Sequence, residues 1–198
     1  MQKKILILGG SNSQLFIYEK AKSLGIYTIC LDYLKNSPGH KIADESYLIS
    51  TTDKKKVLQI SKKLNINAII PYSSDPAALT ASYVGQKLNL YHNPLNAVSI
   101  MTNKHKFRNF LKKEKFNFPK FQKFSSIKNA VKFFYNNNEK VVIKPVDSSG
   151  SKGVSIVTKK SQMGKAYIFA KKYSKIKDVI LEEYIKNDSS QIAGDGYV

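Results

Sequence analysis

A lysine followed by a run of small residues is the part of this sequence best suited to chemistry. Lys144 follows an apolar, β-branched run at residues 141–143, which predicts a buried strand. The next segment is rich in small and hydroxylated residues, namely Ser148, Ser149, Gly150, Ser151, Lys152 and Gly153. Because small residues leave backbone N–H groups accessible, several of these groups can turn toward one anion. The segment therefore predicts a phosphate-binding loop with Lys144 as a cation beside it.

An ordinary β-hairpin turn explains the loop equally well. A second apolar run, residues 154–157, follows it, and serine and glycine clusters between two strands are common turns. The loop is not a Walker A motif, because that motif has the pattern GxxxxGK[ST] and opens a helix. A glycine-rich loop between two strands suggests instead a flap that folds over the phosphates of a nucleotide.

Two further segments, one upstream and one downstream of the loop, contain residues that suit a nucleotide-binding site. Upstream, Asn103 and Lys104 open a predicted helix, and downstream an apolar strand at residues 179–185 runs into Glu182 and Glu183. The Asn-Lys pair, the Val-Ile-Lys-Pro strand before the loop and the Leu-Glu-Glu-Tyr-Ile strand occur in this order. On these three motifs and their spacing, the chain resembles the ATP-grasp superfamily of ligases.

The resemblance implies how the phosphates of ATP would be bound. Lys104 and Lys144 would neutralise the α and β phosphates, while N–H groups of the loop would close over the β and γ phosphates. Lys152 could reach a phosphate or point into solvent. For Lys104 taken by itself, the plain alternative is a solvated lysine at the start of a helix.

The resemblance also implies an adenine-binding hinge. Glu182, Glu183, Tyr184 and Ile185 would grip the purine, with Glu182 accepting a hydrogen bond from its amino group. Asp188 is the nearest acid that could accept the ribose hydroxyls. The alternative for Glu182 is an acidic strand end that faces solvent.

The implied reaction is phosphorylation of a carboxylate by ATP to an acyl phosphate, which an amine or another nucleophile then captures. Mg²⁺ would bridge the β and γ phosphates, held by acids and an asparagine well downstream of the hinge. The sequence stops at Val198, so we expect these metal ligands beyond residue 198 and none within the chain. His40, His92 and His105 show no metal-binding spacing. We therefore interpret the chain as the N-terminal part of a truncated ligase, with an inactive remnant as an alternative.

Strands and helices alternate over residues 1–94, which indicates a parallel sheet covered on both faces. Gly9 and Gly10 follow the first predicted strand, and Asp32 ends the second, where a dinucleotide-binding fold carries its ribose-binding acid. Because the turn has the sequence GGSNSQ instead of GxGxxG, an NAD(P)-binding oxidoreductase is kept only as an alternative.

The same residues resemble the Rossmann-like domain that precedes ATP-grasp modules in biotin carboxylase, carbamoyl phosphate synthetase and the PurK-type carboxylase, where it helps to hold the acceptor substrate. The predicted fold class is therefore α/β, with a Rossmann-like parallel-sheet domain at residues 1–94. An incomplete α+β ATP-grasp domain follows at residues 95–198, containing linker helices, an ATP-lid subdomain and the hinge strand. The loop sequence resembles that of short carbamoyl-phosphate-synthetase-like members.

The formal net charge of +19 raises the alternative of a basic binding module. Among 33 basic residues, however, only Arg108 is an arginine, and arginine makes most bidentate contacts to phosphate and guanine. No recognition motif accompanies the charge, so we interpret the lysines as solvated helix faces and do not predict a nucleic-acid partner.

The expected partners are ATP and a small carboxylate that the sequence does not identify. Cys30 lies in an apolar run and is predicted to be a small buried side chain. No apolar run approaches the roughly 20 residues that span a bilayer, so we expect a cytoplasmic protein without a membrane partner. The sequence leaves the oligomeric state open, a homodimer included.

Overall fold

The structure is a computed structural model that describes residues 2–137 and 140–186. It divides into two compact units, Met1–Phe107 and Arg108–Val198. Each unit contains its own sheet and its own buried apolar cluster. The domain boundary that the sequence predicts after residue 94 stays a prediction.

The first unit is built on a parallel sheet. Its four strands are β1 (Lys4–Leu8), β2 (Tyr27–Asp32), β3 (Glu45–Leu48) and β4 (Ala68–Ile70). Their order across the sheet is β3-β2-β1-β4, and every neighbouring pair is parallel. The parallel sheet predicted from the alternation of strands and helices is confirmed.

Helices lie between the strands of this unit and after its last strand. They are a short 3-10 turn (Asn12–Gln14), α1 (Leu15–Ser23), α2 (Gly39–Ile42), α3 (Lys54–Leu64), α4 (Asp75–Leu88), α5 (Leu95–Met101) and α6 (Lys104–Lys113), whose last turns belong to the second unit. Asp53 caps the start of α3 by accepting a hydrogen bond from the backbone N–H of Lys56. Asn65 and Asn89 end α3 and α4 in the left-handed conformation that closes many helices.

Both faces of this parallel sheet are covered. Leu6 and Leu8 pack on one face with residues of α3 and α4. Ile7 and Cys30 lie on the other face, where Tyr18 of α1 packs against them. All five side chains are fully buried, as expected when successive strand residues alternate between two covered faces. The prediction that Cys30 is a small buried side chain is confirmed.

The second unit is built on an antiparallel sheet. Its strands are β5 (Phe121–Phe124), β6 (Val141–Pro145), β7 (Ser155–Val157) and β8 (Val179–Glu183), in the order β5-β8-β6-β7. Helices α7 (Ile127–Asn137) and α8 (Lys160–Tyr173) contribute to its core. Val141, Ile143 and Leu181 are buried against Met163 and Ala170 of α8. One face of this sheet is therefore a core face.

No helix in the described part of the chain is long and apolar enough to cross a membrane.

Candidate functional site

Strands β6 and β8 bring Lys144 and Glu182 together. The two strands are antiparallel, with Val142 opposite Glu182. Because side chains two residues apart lie on the same face of a strand, Lys144 shares the face of Val142 and Glu182, opposite the core face. The Nζ atom of Lys144 lies 2.6 Å from Oε2 of Glu182. Two residues that the sequence predicts for ATP binding are therefore direct neighbours.

Arg108 of α6 completes this group of charges. Its Nε donates a hydrogen bond to Oε1 of Glu182 at 2.9 Å, and its Nη2 donates to Oε2 at 3.3 Å. The carboxylate thus receives a bidentate arginine and a lysine while Glu182 is only 3% exposed. We call Arg108, Lys144 and Glu182 the charge cluster.

The protonation of Glu182 reflects these neighbours. Burial raises the pKa of its carboxyl group, but the hydrogen bonds and charges of Arg108 and Lys144 outweigh burial and hold the pKa below its ordinary value. Glu182 is therefore an anion at neutral pH, able to accept hydrogen bonds and not to donate them.

The serine and glycine loop connects β6 to β7, which pair as antiparallel neighbours. Its backbone adopts positive φ angles at Gly150 (63°), Ser151 (55°) and Gly153 (76°), the region that glycine favours. Ser151 and Lys152 are exposed, whereas Gly153 is buried. This backbone geometry is compatible with a plain hairpin turn and with a phosphate-binding flap. The connection begins directly after Pro145, the last residue of β6.

Gly153 is fixed by packing as well as by backbone conformation. A Cβ atom there would lie 3.0 Å from Cγ of Pro145 and 3.1 Å from Cβ of Tyr173, whereas a Cβ atom at Gly150 would meet nothing within 4 Å. We expect Gly153→Ala to lower the free energy of unfolding by about 2–4 kcal/mol, and Gly150→Ala by about 1–2 kcal/mol, since both residues have positive φ. Urea unfolding of the two variants measures the difference, and equal losses would contradict the role assigned to packing.

Two of the predicted hinge residues, Glu183 and Tyr184, make hydrogen bonds to neighbouring segments of the second unit. The N–H of Glu183 donates to the carbonyl of Lys120 at 2.9 Å, and the N–H of Tyr184 donates to the carbonyl of Lys140 at 3.0 Å. Oε1 of Glu183 accepts from the N–H of Lys120 at 2.9 Å. Tyr184 and Ile185 are exposed at the end of β8. Asp188 lies outside the described residues.

Lys104 is the first residue of α6, one helical turn before Arg108. It belongs to the first unit, whereas Lys144 and the loop belong to the second. Its predicted contact with a phosphate therefore stays a prediction.

Asp32 joins the turn after β1 to the segment after β2. Its Oδ2 accepts hydrogen bonds from the N–H of Gly10 at 2.9 Å and from the hydroxyl of Ser37 at 3.0 Å, and its Oδ1 accepts from the N–H of Leu34 at 2.9 Å. Asp32 is only 7% exposed. These contacts support a structural role for this carboxylate.

Gln14 fills the turn formed by Gly9 and Gly10. Its Nε2 donates to the carbonyls of Leu8 at 3.1 Å and of Tyr72 at 2.8 Å. A Cβ atom on Gly9 would lie 2.3 Å from this amide nitrogen, and Gly9 also has a φ of 113°. The glycine is therefore needed for close packing against Gln14, a contact that the sequence analysis does not predict.

The three sequence motifs do not include Arg108, so it is not predicted as a site residue. The available signal is its position four residues after Lys104, which places both on one side of the helix. A second signal is that it is the sole arginine in a lysine-rich chain.

Residues 101–193 match the family model of the ATP-grasp domain. These residues therefore form an ATP-grasp domain, and the resemblance seen in the three motifs is confirmed.

Two of its relatives are formate-dependent phosphoribosylglycinamide formyltransferases. The protein of Prochlorococcus marinus is 32% identical over 194 residues, which cover 95% of this chain and 49% of the relative. The protein of Francisella tularensis is 30% identical over 204 residues, covering 93% of this chain and 49% of the relative. The chain thus spans about half the length of the curated relatives it matches.

Solved structures show the same fold. An L-amino acid ligase from Bacillus licheniformis superimposes with a TM-score of 0.73 and 21% identity, covering 93% of this chain and 44% of the ligase. The biotin carboxylase domain of 2-oxoglutarate carboxylase from Hydrogenobacter thermophilus gives a TM-score of 0.70 and 19% identity, covering 94% and 46%. The predicted fold class is confirmed by these similarities.

Proposed function

We propose that this chain is the ATP-binding portion of an ATP-grasp ligase that phosphorylates a small carboxylate. The observation that carries the proposal is the meeting of Lys144 and Glu182 on one sheet face, close to the start of the serine and glycine loop. A cation, a row of loop N–H groups and a buried carboxylate suit the phosphates and the amino group of ATP. The family match at residues 101–193 supports the same function.

The phosphates would be bound by Lys144 and the loop. The side chain of Lys144 is 18% exposed, so its ammonium group is accessible to a ligand. The positive φ angles at Gly150, Ser151 and Gly153 suit a turn whose N–H groups converge on an anion. Lys104 would add a second ammonium group, and the exposed Lys152 could add a third.

The adenine ring would lie against the end of β8. Glu182 would accept a hydrogen bond from the amino group, because its carboxylate is ionised and acts only as an acceptor. Glu183, Tyr184 and Ile185 would supply backbone groups and apolar contacts to the purine. Asp188 would accept the ribose hydroxyls.

In the proposed reaction, a carboxylate oxygen of the substrate attacks the γ phosphorus of ATP. The bond from that phosphorus to the bridging oxygen breaks, ADP leaves, and an acyl phosphate forms. An amine or another nucleophile then attacks the acyl carbon, inorganic phosphate leaves, and the nucleophile releases a proton to solvent. Formate is the first carboxylate to test, since it appears in the names of the relatives.

ATP carries Mg²⁺ in reactions of this kind, where the ion neutralises charge on the β and γ phosphates. In the described part of the chain, no cluster of three or more His, Cys, Asp or Glu side chains could hold a metal ion. No step of the proposed reaction is therefore assigned to a metal bound by these residues.

Calorimetric titration of the 198-residue chain with ATP, ADP and NAD tests the proposal. We expect ATP and ADP to bind and NAD not to bind, at one fixed ionic strength. Absence of ATP binding would overturn the proposal. Binding of NAD that weakens in Asp32→Ala would favour the oxidoreductase, and nucleic-acid binding that falls steeply with salt would favour the basic binding module.

A further inference from the structure

We infer that Arg108 is a positioning residue that holds the Glu182 carboxylate and thereby frees Lys144 to bind the phosphates of ATP. The inference rests on the proposed function and adds a residue to it. It starts from the composition of the charge cluster, which contains two cations and one carboxylate.

The excess positive charge of the cluster depends on Arg108. With all three residues present, the cluster has a net charge of +1 and can attract a phosphate. Without Arg108, Lys144 and Glu182 form a neutral ion pair, and a phosphate would have to compete with the carboxylate for the same ammonium group. Removal of Arg108 is therefore expected to weaken phosphate binding although Arg108 is not itself assigned a contact with ATP.

Arg108 is better suited than Lys144 to be the permanent partner of Glu182. Its guanidinium group binds both carboxylate oxygens at once, at 2.9 and 3.3 Å, in the fork geometry that matches a carboxylate. Lys144 contacts one oxygen through a flexible side chain. The Glu182 side chain is only 4% exposed, so a carboxylate left without a cation would be strongly disfavoured. Arg108 can remain in place while the ammonium group of Lys144 moves toward a ligand.

A purely structural role for Arg108 predicts a different result. If Arg108 only fastened α6 to β8, its loss would weaken the binding of every adenine ligand to a similar degree. If Arg108 frees Lys144, its loss weakens ligands that carry phosphates more than adenosine. The ratio of the Kd of adenosine to the Kd of ADP separates the two roles, because general damage to the adenine site cancels in it.

The experiment measures this ratio by competition against a fluorescent adenine nucleotide, using the 198-residue chain. We expect Arg108→Met to lower the ratio at least fivefold and Arg108→Lys, which keeps the charge, to restore most of it. The double variant Arg108→Met/Glu182→Gln also lacks the carboxylate that pairs with the ammonium group of Lys144. In this variant the ratio of the Kd of adenosine to the Kd of ADP is expected to rise again. Lys112→Met, which removes one charge from the next turn of α6, is the matched control and should leave the ratio unchanged.

The outcomes separate the inference from the function on which it rests. If the parent chain binds neither ADP nor adenosine, the proposed function and the inference both fail. If the parent binds ADP and Arg108→Met keeps the parent ratio, only the inference fails. Should Arg108→Met not fold, as judged by circular dichroism, Arg108→Gln replaces it, and an unchanged ratio in that variant again overturns the inference.

Discussion

Replacement of Lys144 by methionine is expected to weaken ATP binding by about 10- to 100-fold. The estimate corresponds to the loss of one charge-assisted contact to phosphate, about 1.5–3 kcal/mol. Methionine keeps the length and apolar character of the lysine stem, so the sheet should remain packed. Glu182 also keeps its bidentate partner Arg108, which limits the damage to folding.

Calorimetric titration of the Lys144→Met variant with ATP at constant ionic strength measures this effect. Lys172→Met is the control, since it removes one exposed positive charge from α8, whose buried residues pack on the opposite face of the sheet. Constant ionic strength is needed because salt screens surface charges. Equal affinities in the two variants would remove Lys144 from the proposed site.

Replacement of Glu182 by alanine is expected to destabilise the second unit by about 3 kcal/mol, because it leaves two cations without their shared carboxylate. Arg108 and Lys144 would lose their shared carboxylate although their side chains are only 21% and 18% exposed. Two like charges would then face each other in a poorly solvated place. Urea unfolding measures the loss, with hydrogen exchange of β6 and β8 amides to assign it to the second unit.

The same carboxylate predicts a pH dependence of stability. Because the pKa of Glu182 is lower in the folded chain than in the unfolded chain, its contribution is complete above the ordinary glutamate pKa of about 4.3. The contribution is lost as the pH falls through the lower folded pKa. Glu182→Gln should therefore be less stable than the parent near neutral pH and approach the parent in acid.

Glu114, a partly exposed residue paired with Lys113, offers the matched control for these measurements. We expect Glu114→Ala to leave the free energy of unfolding within about 1 kcal/mol of the parent, since exposed ion pairs contribute little. A Glu182→Ala variant as stable as Glu114→Ala would mean that the charge cluster does not stabilise the fold.

Strands and loops that depend on residues close together in the sequence can be predicted from it. The β6 strand and the loop after it follow from a β-branched run next to serine and glycine, and the structure pairs β6 with β7 as expected. The buried strands of the first unit follow in the same way from continuous apolar runs, as at residues 4–8. In each of these cases the residues that determine the structure are neighbours in the sequence.

Features that depend on distant partners were not predictable. Arg108 and Glu182 are 74 residues apart, and no local pattern connects them. The short strand β5 has no local signal, because it is defined by its pairing with β8, where Phe121 lies opposite Glu182. The packing of Gln14 cannot be predicted for the same reason, since one of its partners is the carbonyl of the distant Tyr72.

The order β5-β8-β6-β7 has a consequence for the synthesis of the protein. Strand β8 lies between β5 and β6, yet among the strands that the structure describes in this unit it leaves the ribosome last. Until β8 has been made, β6 can pair with β7, whereas β5 lacks its neighbour and presents unpaired backbone groups. The nascent second unit therefore passes through a stage with open strand edges, in which protection by a chaperone would be most useful.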